Sequence, residues 1–285
     1  MANVEVVKKS SFNFDPWVVI GKKSHILQSR CTQPLQCGLS DKENSPIYST
    51  SLCDFCLFEK ELKLPQLPEM TFASNCVRLE HDKGFGIEFN ALDALKFVDS
   101  KNDVMKVAIA EAWQESRLDD SKIKDVVKPF DWTYGTHYKG TLFGNKEVYK
   151  ITPTEERIDV EKLKVKSKIL FYEDIILFED ELADNGTAQC SVKISALAAS
   201  PDLERIMPDS FFILLRYFLR VDNLLVRIID TRIYYEVGKN YLLREHMAKE
   251  NKIKDLTVSS ALLCNPQDLW DHLATASSEY DKIEF

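Results

Sequence analysis

SFFILLRYFLRV, Ser210 to Val221, is followed by Asp222-Asn223 and then by LLVRIIDTRIYYEV, Leu224 to Val237. Both runs are rich in β-branched and aromatic residues, and the two residues between them tolerate positive φ, so the stretch reads as a β-hairpin. With Asp222 and Asn223 as a two-residue turn, Val221 faces Leu224 and Leu219 faces Val226. Tyr217 then faces Ile228, Leu215 faces Asp230 and Ile213 faces Arg232, so an apolar face ends in two opposite charges. A salt-bridged buried pair is one reading of Asp230 and Arg232; a pair lining a groove for a partner is the other.

Working outward, strands are expected over Asn13 to Lys22, Met70 to Glu80, Trp132 to Leu142, Lys168 to Glu179 and Cys190 to Leu197. The ELADNG segment closes the last two into a second hairpin, and Asn185-Gly186-Thr187 is read as a turn rather than a glycosylation site. Asn90 is a good N-cap for a helix through ALDALKFV, and another short helix is expected over Val160 to Lys166. VMKVAIAEAWQESR, from Val104, fits the periods of both strand and helix. The fold class is α+β: mainly antiparallel sheets with a few flanking helices, in a single domain over 1–285. Polar, Pro- and Ser-containing insertions interrupt it at about 29–64 and about 196–206.

The 285 residues are 45% hydrophobic, with 16 Phe, 10 Tyr and 4 Trp, enough to bury a large core. Glycine is scarce, at 9 residues, which argues against phosphate-cradling loops. A net charge of -8 has the wrong sign for nucleic acid or anionic membranes. The N-terminus lacks an apolar run of signal-peptide length, so a cytoplasmic chain is expected, with its seven cysteines as free thiols.

Catalytic templates are scarce. Gly84-Phe85-Gly86 lacks the third glycine of a dinucleotide fingerprint, because position 89 is Phe, and Gly140, Gly144 and Lys146 have the wrong spacing for a phosphate loop. His25, His81, His137, His246 and His272 fall in no ligand or triad spacing. Glu173, Asp174, Glu179, Asp180, Glu181 and Asp184 cluster in FYEDIILFEDELAD, where a solvated strand end competes with a hard-cation site. Cys53-Asp54-Phe55-Cys56 is a CxxC, and with Cys31 and Cys37 it supplies four thiols for a tetrahedral zinc site. Against zinc, five residues separate the upstream pair and no Gly-rich knuckle follows either pair. Against redox chemistry, no βαβ setting is visible. No cofactor and no metal ligand set is assigned.

Several blocks together resemble the TIPRL family, the TOR signalling pathway regulator-like proteins. They are PQLPEMTF (65–72), GFGIEFNALDAL (84–95), WQESR (113–117), KPFDWTYGTHYKGTLFG (128–144), LFYEDIILFEDELADNG (170–186) and MPDSFFILLRYFLRVDNLLVRIIDTRIYYE (207–236). The resemblance implies a non-enzymatic protein that docks on and inhibits the catalytic subunits of type 2A Ser/Thr phosphatases. It also implies roles in phosphatase biogenesis or disassembly, in a ternary complex with the TOR-linked regulatory protein. The family's phosphatase-binding positions fall on Asp93 in NALDAL, Ile158 in TEERID, and Ile228 and Asp230 in VRIIDTR, with Ile228 where Met is more usual. Arg232, Trp132 and Tyr134 are candidates for a cleft that takes the phosphatase tail, Arg232 by clamping a carboxylate. The alternatives are a metal-dependent hydrolase using the acidic cluster and the histidines, and a cysteine-based redox sensor through Cys53 and Cys56.

Overall fold

The computed structural model describes residues 7–31, 37, 52–62, 64, 66–98, 131–164, 168–198 and 209–285. The segment from Val104 to Arg117 and most of the two insertions lie outside them. Among the described residues the chain forms two antiparallel sheets. One holds β1 (Lys8–Phe14), β2 (Trp17–Lys23), β4 (Cys76–His81), β5 (Gly86–Asn90) and β6 (Thr141–Phe143), in the order β1-β2-β4-β5-β6. The other runs β3-β8-β9-β10-β11-β12-β13-β7. Its strands are β3 (Met70–Thr71), β7 (Lys150–Pro153), β8 (Lys168–Asp180), β9 (Gly186–Ala198), β10 (Ser210–Val221), β11 (Leu225–Glu236), β12 (Tyr241–Lys252) and β13 (Thr275–Glu284).

Strand alternation explains why the sheets meet face to face. Val19, Val77, Leu79, Ile87 and Phe89 of the smaller sheet pack in one core with Ile175, Val192, Ile194, Ile213, Leu215 and Tyr217 of the larger. The far face of the larger sheet carries two further apolar clusters. Phe218, Val226 and Ile228 lie under Leu269, Trp270 and Leu273, while Tyr234 and Leu243 lie under Ile158. Among the described residues four short α-helices flank the sheets: α1 (Asp54–Glu61), α2 (Ala91–Lys96), α3 (Val160–Lys164) and α4 (Pro266–Leu269). Asn90 caps α2 as its sequence suggests, its side-chain oxygen accepting from the Asp93 N–H at 2.8 Å.

The antiparallel α+β expectation holds, and so do both hairpins, but the register of the decisive one differs. Val221 pairs with Leu225, so the connection is the three residues Asp222, Asn223 and Leu224, with Asn223 at φ 61. Leu224 is exposed at the tip rather than facing Val221. A one-residue change of register turns every partner to the other face, so Asp230 sits opposite Arg216, not Leu215, and Arg232 opposite Leu214, not Ile213.

Four other expectations are revised. Met70 to Glu80 is not one strand: Met70–Thr71 pairs with β8 in the larger sheet, and β4 begins only at Cys76, in the smaller. Asn13 to Lys22 is not one strand: a cis Asp15–Pro16 bond lies at the turn that splits it into the β1–β2 hairpin. Trp132 to Leu142 is irregular up to Thr141, because the buried Asp131 carboxylate takes the N–H groups of Thr133 and Gly135 and bends the chain into a turn. Thr275–Glu284, in the mixed polar stretch after Asn265 where no strand is expected, forms a strand.

Candidate functional site

Residues 226, 228, 230, 232 and 234 of β11 point away from the main core, and the functional candidates on this strand stand on that face. Asp230 has no solvent-accessible surface. Its two oxygens receive Arg216 Nε and Nη2, each at 2.7 Å, the fork geometry that strengthens a charge-assisted pair. Arg232 Nη2 reaches the same carboxylate at 3.2 Å, and its guanidinium lies 4.6 Å from the Trp270 ring centroid. Lys249 Nζ stands 4.6 Å from that ring and donates to the Trp270 carbonyl at 2.9 Å. One carboxylate is thus surrounded by three cations gathered on an indole face. Arg216 and Arg232 compensate the buried charge, and burial pushes the Lys249 ammonium below its ordinary range.

Ile228, fully buried, lies one step along the same face under Leu269 and Trp270. Ile158 is buried farther along, against Tyr234 and Leu243, and its N–H donates to the buried Glu245 side chain at 2.8 Å. Between these two clusters Phe212, Leu214, Arg232 and Met247 remain half-buried. Three of the four family-matched positions therefore share the far face of the larger sheet.

Asp93 is elsewhere, in the first turn of α2, after the smaller sheet's β5. Its carboxylate accepts from Thr141 Oγ1 at 2.6 Å and Asn90 Nδ2 at 3.1 Å, with Lys96 Nζ at 3.4 Å. Burial pushes this carboxyl up, but the bonds from Thr141 and Asn90 and the Lys96 charge outweigh it and hold the group below the usual carboxylate range. Its side chain is 23% exposed, so Asp93 is the member of the set that offers a charge to solvent.

The three cleft candidates are not brought together. Trp132 and Tyr134 pack on the main core, and the Thr133 carbonyl between them accepts from the Tyr217 hydroxyl; Arg232 projects from the opposite face of the sheet. Among the described residues the buried indole N–H of Trp132 finds no acceptor. Burial and the nearby Asp180 and Glu69 charges raise the Tyr134 phenol.

Sequence spacing missed Arg216, Trp270 and Lys249. The first was hidden by the register, and the other two come from segments far along the chain. It also missed that His137 Nδ1 lies 3.1 Å from His246 Nε2, with Thr231 Oγ1 2.8 Å from His246 Nδ1. Burial, followed by the Lys139 and His137 charges, pulls His246 down to about 3. The acidic run is spent on separate contacts: Glu173 pairs with Lys23 at 2.7 Å, Asp174 with Lys193 at 3.2 Å, and Asp180 accepts from the Glu69 and Leu182 N–H groups.

The cysteines do converge. Cys31, Cys37, Cys53 and Cys56 place their sulfurs within 4.8 Å of one another, and among the described residues no other His, Cys, Asp and Glu group converges in this way. Cys53 is the N-cap of α1 and Cys56 lies in its first turn, so the helix N-terminus that CxxC chemistry favours is present, without parallel strands around it. Hydrogen bonding from the Cys56 backbone leads the effects that lower the Cys53 thiol to about 7.

Residues 70–257 match the model of the TIP41-like family. The TIP41-like protein of Homo sapiens is 42% identical over 275 residues, covering 96% of this chain and 89% of that protein. That of Caenorhabditis elegans is 39% identical over 280 residues, 97% and 90% of the two chains. The Saccharomyces cerevisiae relative, named type 2A phosphatase activator TIP41, is 38% identical over 233 residues, 76% of this chain and 62% of its own. Matched over about two thirds of its length by the family model and over nearly all of it by an animal relative, this chain belongs to the TIP41-like family.

Proposed function

We propose that this chain is a regulatory binding protein of type 2A Ser/Thr phosphatases. It docks on the catalytic subunit and suppresses its activity, in TOR-linked signalling and phosphatase biogenesis or disassembly, within the cytoplasm. The observation that carries the phosphatase part of the reading is the match, over 76% of this chain, to a relative named type 2A phosphatase activator TIP41; suppression rests on the family resemblance. The same word stands in the name of the Schizosaccharomyces pombe relative, 30% identical over 98% of this chain.

The far face of the larger sheet suits such docking. Its half-buried strip at Phe212, Leu214 and Met247 offers apolar surface, and Arg232 beside Trp270 offers a guanidinium in an otherwise acidic protein. Ile158, Ile228 and Asp230 are buried, so their part is to set the shape of this face, while Asp93 presents its carboxylate directly. The TOR-linked regulatory protein completes a ternary complex in this reading, and Arg232 is the group best placed to hold a tail carboxylate.

The test is retention of a purified type 2A catalytic subunit on the immobilised chain, followed by titration of phosphopeptide hydrolysis. Retention and falling activity are expected. The Asp93→Leu variant, with an unchanged circular dichroism spectrum, should bind about tenfold or more weakly, a loss of about 1.4 kcal/mol. No retention by the folded wild-type chain would sink the reading; rising activity would reverse its sign.

A further inference from the structure

We propose that Cys31, Cys37, Cys53 and Cys56 form a structural zinc site that clips the segment between β2 and α1 onto the body of the protein. The four sulfurs lie within 4.8 Å of one another, and those of Cys31 and Cys53 are 3.7 Å apart. A tetrahedral thiolate site with Zn–S bonds of about 2.3 Å sets its sulfurs about 3.8 Å from one another. The quartet is therefore already near the required figure, and a contraction of about 1 Å or less in its widest pair completes it.

Three features of the surroundings agree. Cys37 and Cys56 are buried, each 7% exposed, so half the ligand set is shielded from water. The Cys53 N–H points at Cys37 Sγ, at 3.3 Å, the kind of N–H···S contact that supports a ligating thiolate and fixes its orientation. Cys53 and Cys56 sit at the start of α1, whose free amides and dipole offset the charge of four thiolates around one divalent ion.

Soft sulfur donors in a tetrahedron select zinc over the hard divalent cations. Four of them leave no open position for water, so the site holds structure and performs no hydrolysis. On binding, the thiols that are still protonated give their protons to solvent, four Zn–S bonds form, and no electron is transferred.

The architectural consequence is specific. Phe58 of α1 and Leu62, just past its end, enter the main core, and Leu27 is tied to Thr71 by a backbone hydrogen bond. A cleft of about 400 Å³ lies beside α1, lined in part by Leu27, Phe55, Phe58, Leu64, Leu67 and Pro68. Zinc closes the loop from Cys31 to Cys56 and fixes the helix that forms one wall of this cleft.

The experiment is metal analysis of the full chain, purified without metal-affinity resin or chelators, by elemental and native mass spectrometry. About one zinc per chain is expected, falling at least tenfold in Cys31→Ser and in Cys53→Ser, while Cys264→Ser, at an exposed thiol, retains it. Native alkylation gives a readout independent of variant folding: zinc-loaded wild type should protect the four thiols while Cys264 reacts. The proposal is overturned by a wild-type chain that stays zinc-poor after incubation with zinc and alkylates all four thiols as fast as Cys264. Stoichiometric iron, or disulfides among these cysteines in freshly purified protein, would overturn it equally. The result stands apart from phosphatase binding in either direction.

Discussion

Asp230 shows what one buried charge demands. With both oxygens held by Arg216 and one shared with Arg232, the carboxylate is compensated; its removal leaves two guanidinium groups without their anion beneath Trp270. Asp230→Ala is expected to cost about 3–5 kcal/mol in urea unfolding, the range for breaking a buried pair on one side. A loss under about 1 kcal/mol would mean that water or Gln267 takes up the arginines. Any loss of phosphatase binding on changing Asp230 must therefore be read beside the variant's stability, whereas Asp93 is partly exposed and makes the cleaner test.

His246 carries the corresponding argument for pH. Its folded value, about 3, lies below the ordinary 6.5, because burial and the neighbouring Lys139 and His137 oppose a positive imidazole. Above pH about 6.5 both folded and unfolded chains hold it neutral, and its contribution is fully present. Between about 6.5 and 3 the unfolded chain gains a proton that the folded one refuses, so stability falls as the pH falls, by up to about 1.4 kcal/mol per unit. Urea midpoints from pH 7.5 to 5 should show that slope, and His246→Gln should flatten it. An unchanged slope in the variant would assign the acid sensitivity to other groups.

At the level of elements, the turns fix what the strands cannot. Gly186 opens β9 at φ 149, where a Cβ would collide with the Arg220 carbonyl oxygen. Gly186→Ala is expected to lower stability by about 2 kcal/mol or more and to loosen the β8–β9 turn, visible as faster amide exchange at Asn185 and Thr187. Slow exchange there, with unchanged stability, would show that the neighbouring strand yields instead.

Those same elements show how much could be read beforehand. β8 to β11 were legible because each alternates over a dozen or so residues between punctuating turns, and α2 because Asn90 announces it. β12 was not, since YLLREHMAKENK carries charges that resemble a solvated helix until Arg244 is seen paired with Asp281 of β13 and Glu245 holding Ile158. One error with functional weight was one residue of register, because an Asp-Asn pair does not by itself distinguish a two-residue from a three-residue connection. It disguised an Arg216–Asp230 pair as a Leu–Asp mismatch. The cysteine quartet was present in the sequence as candidates, but its spacing resembled no knuckle; only the closeness of β2's exit to the start of α1 joins the two pairs in space.

Across the whole molecule, both sheets contribute to one core, and the larger sheet turns its second face outward with a partial cover at each end. That asymmetry separates two jobs. The inner face supplies stability, and in the proposed reading the outer face, with its buried supports and half-open centre, is the surface that meets the phosphatase. Among the described residues no helix is long and apolar enough to cross a membrane.

The larger sheet also finishes abruptly: its outermost strands, β3 and β7, have two and four residues, and β7 ends in Pro153, which has no N–H to give. Lateral growth of the sheet by backbone pairing with a foreign strand is thereby discouraged, and with it the polymerisation that the long strands between them would otherwise invite. A visitor must consequently read side chains instead of extending the ladder, so its identity is checked residue by residue.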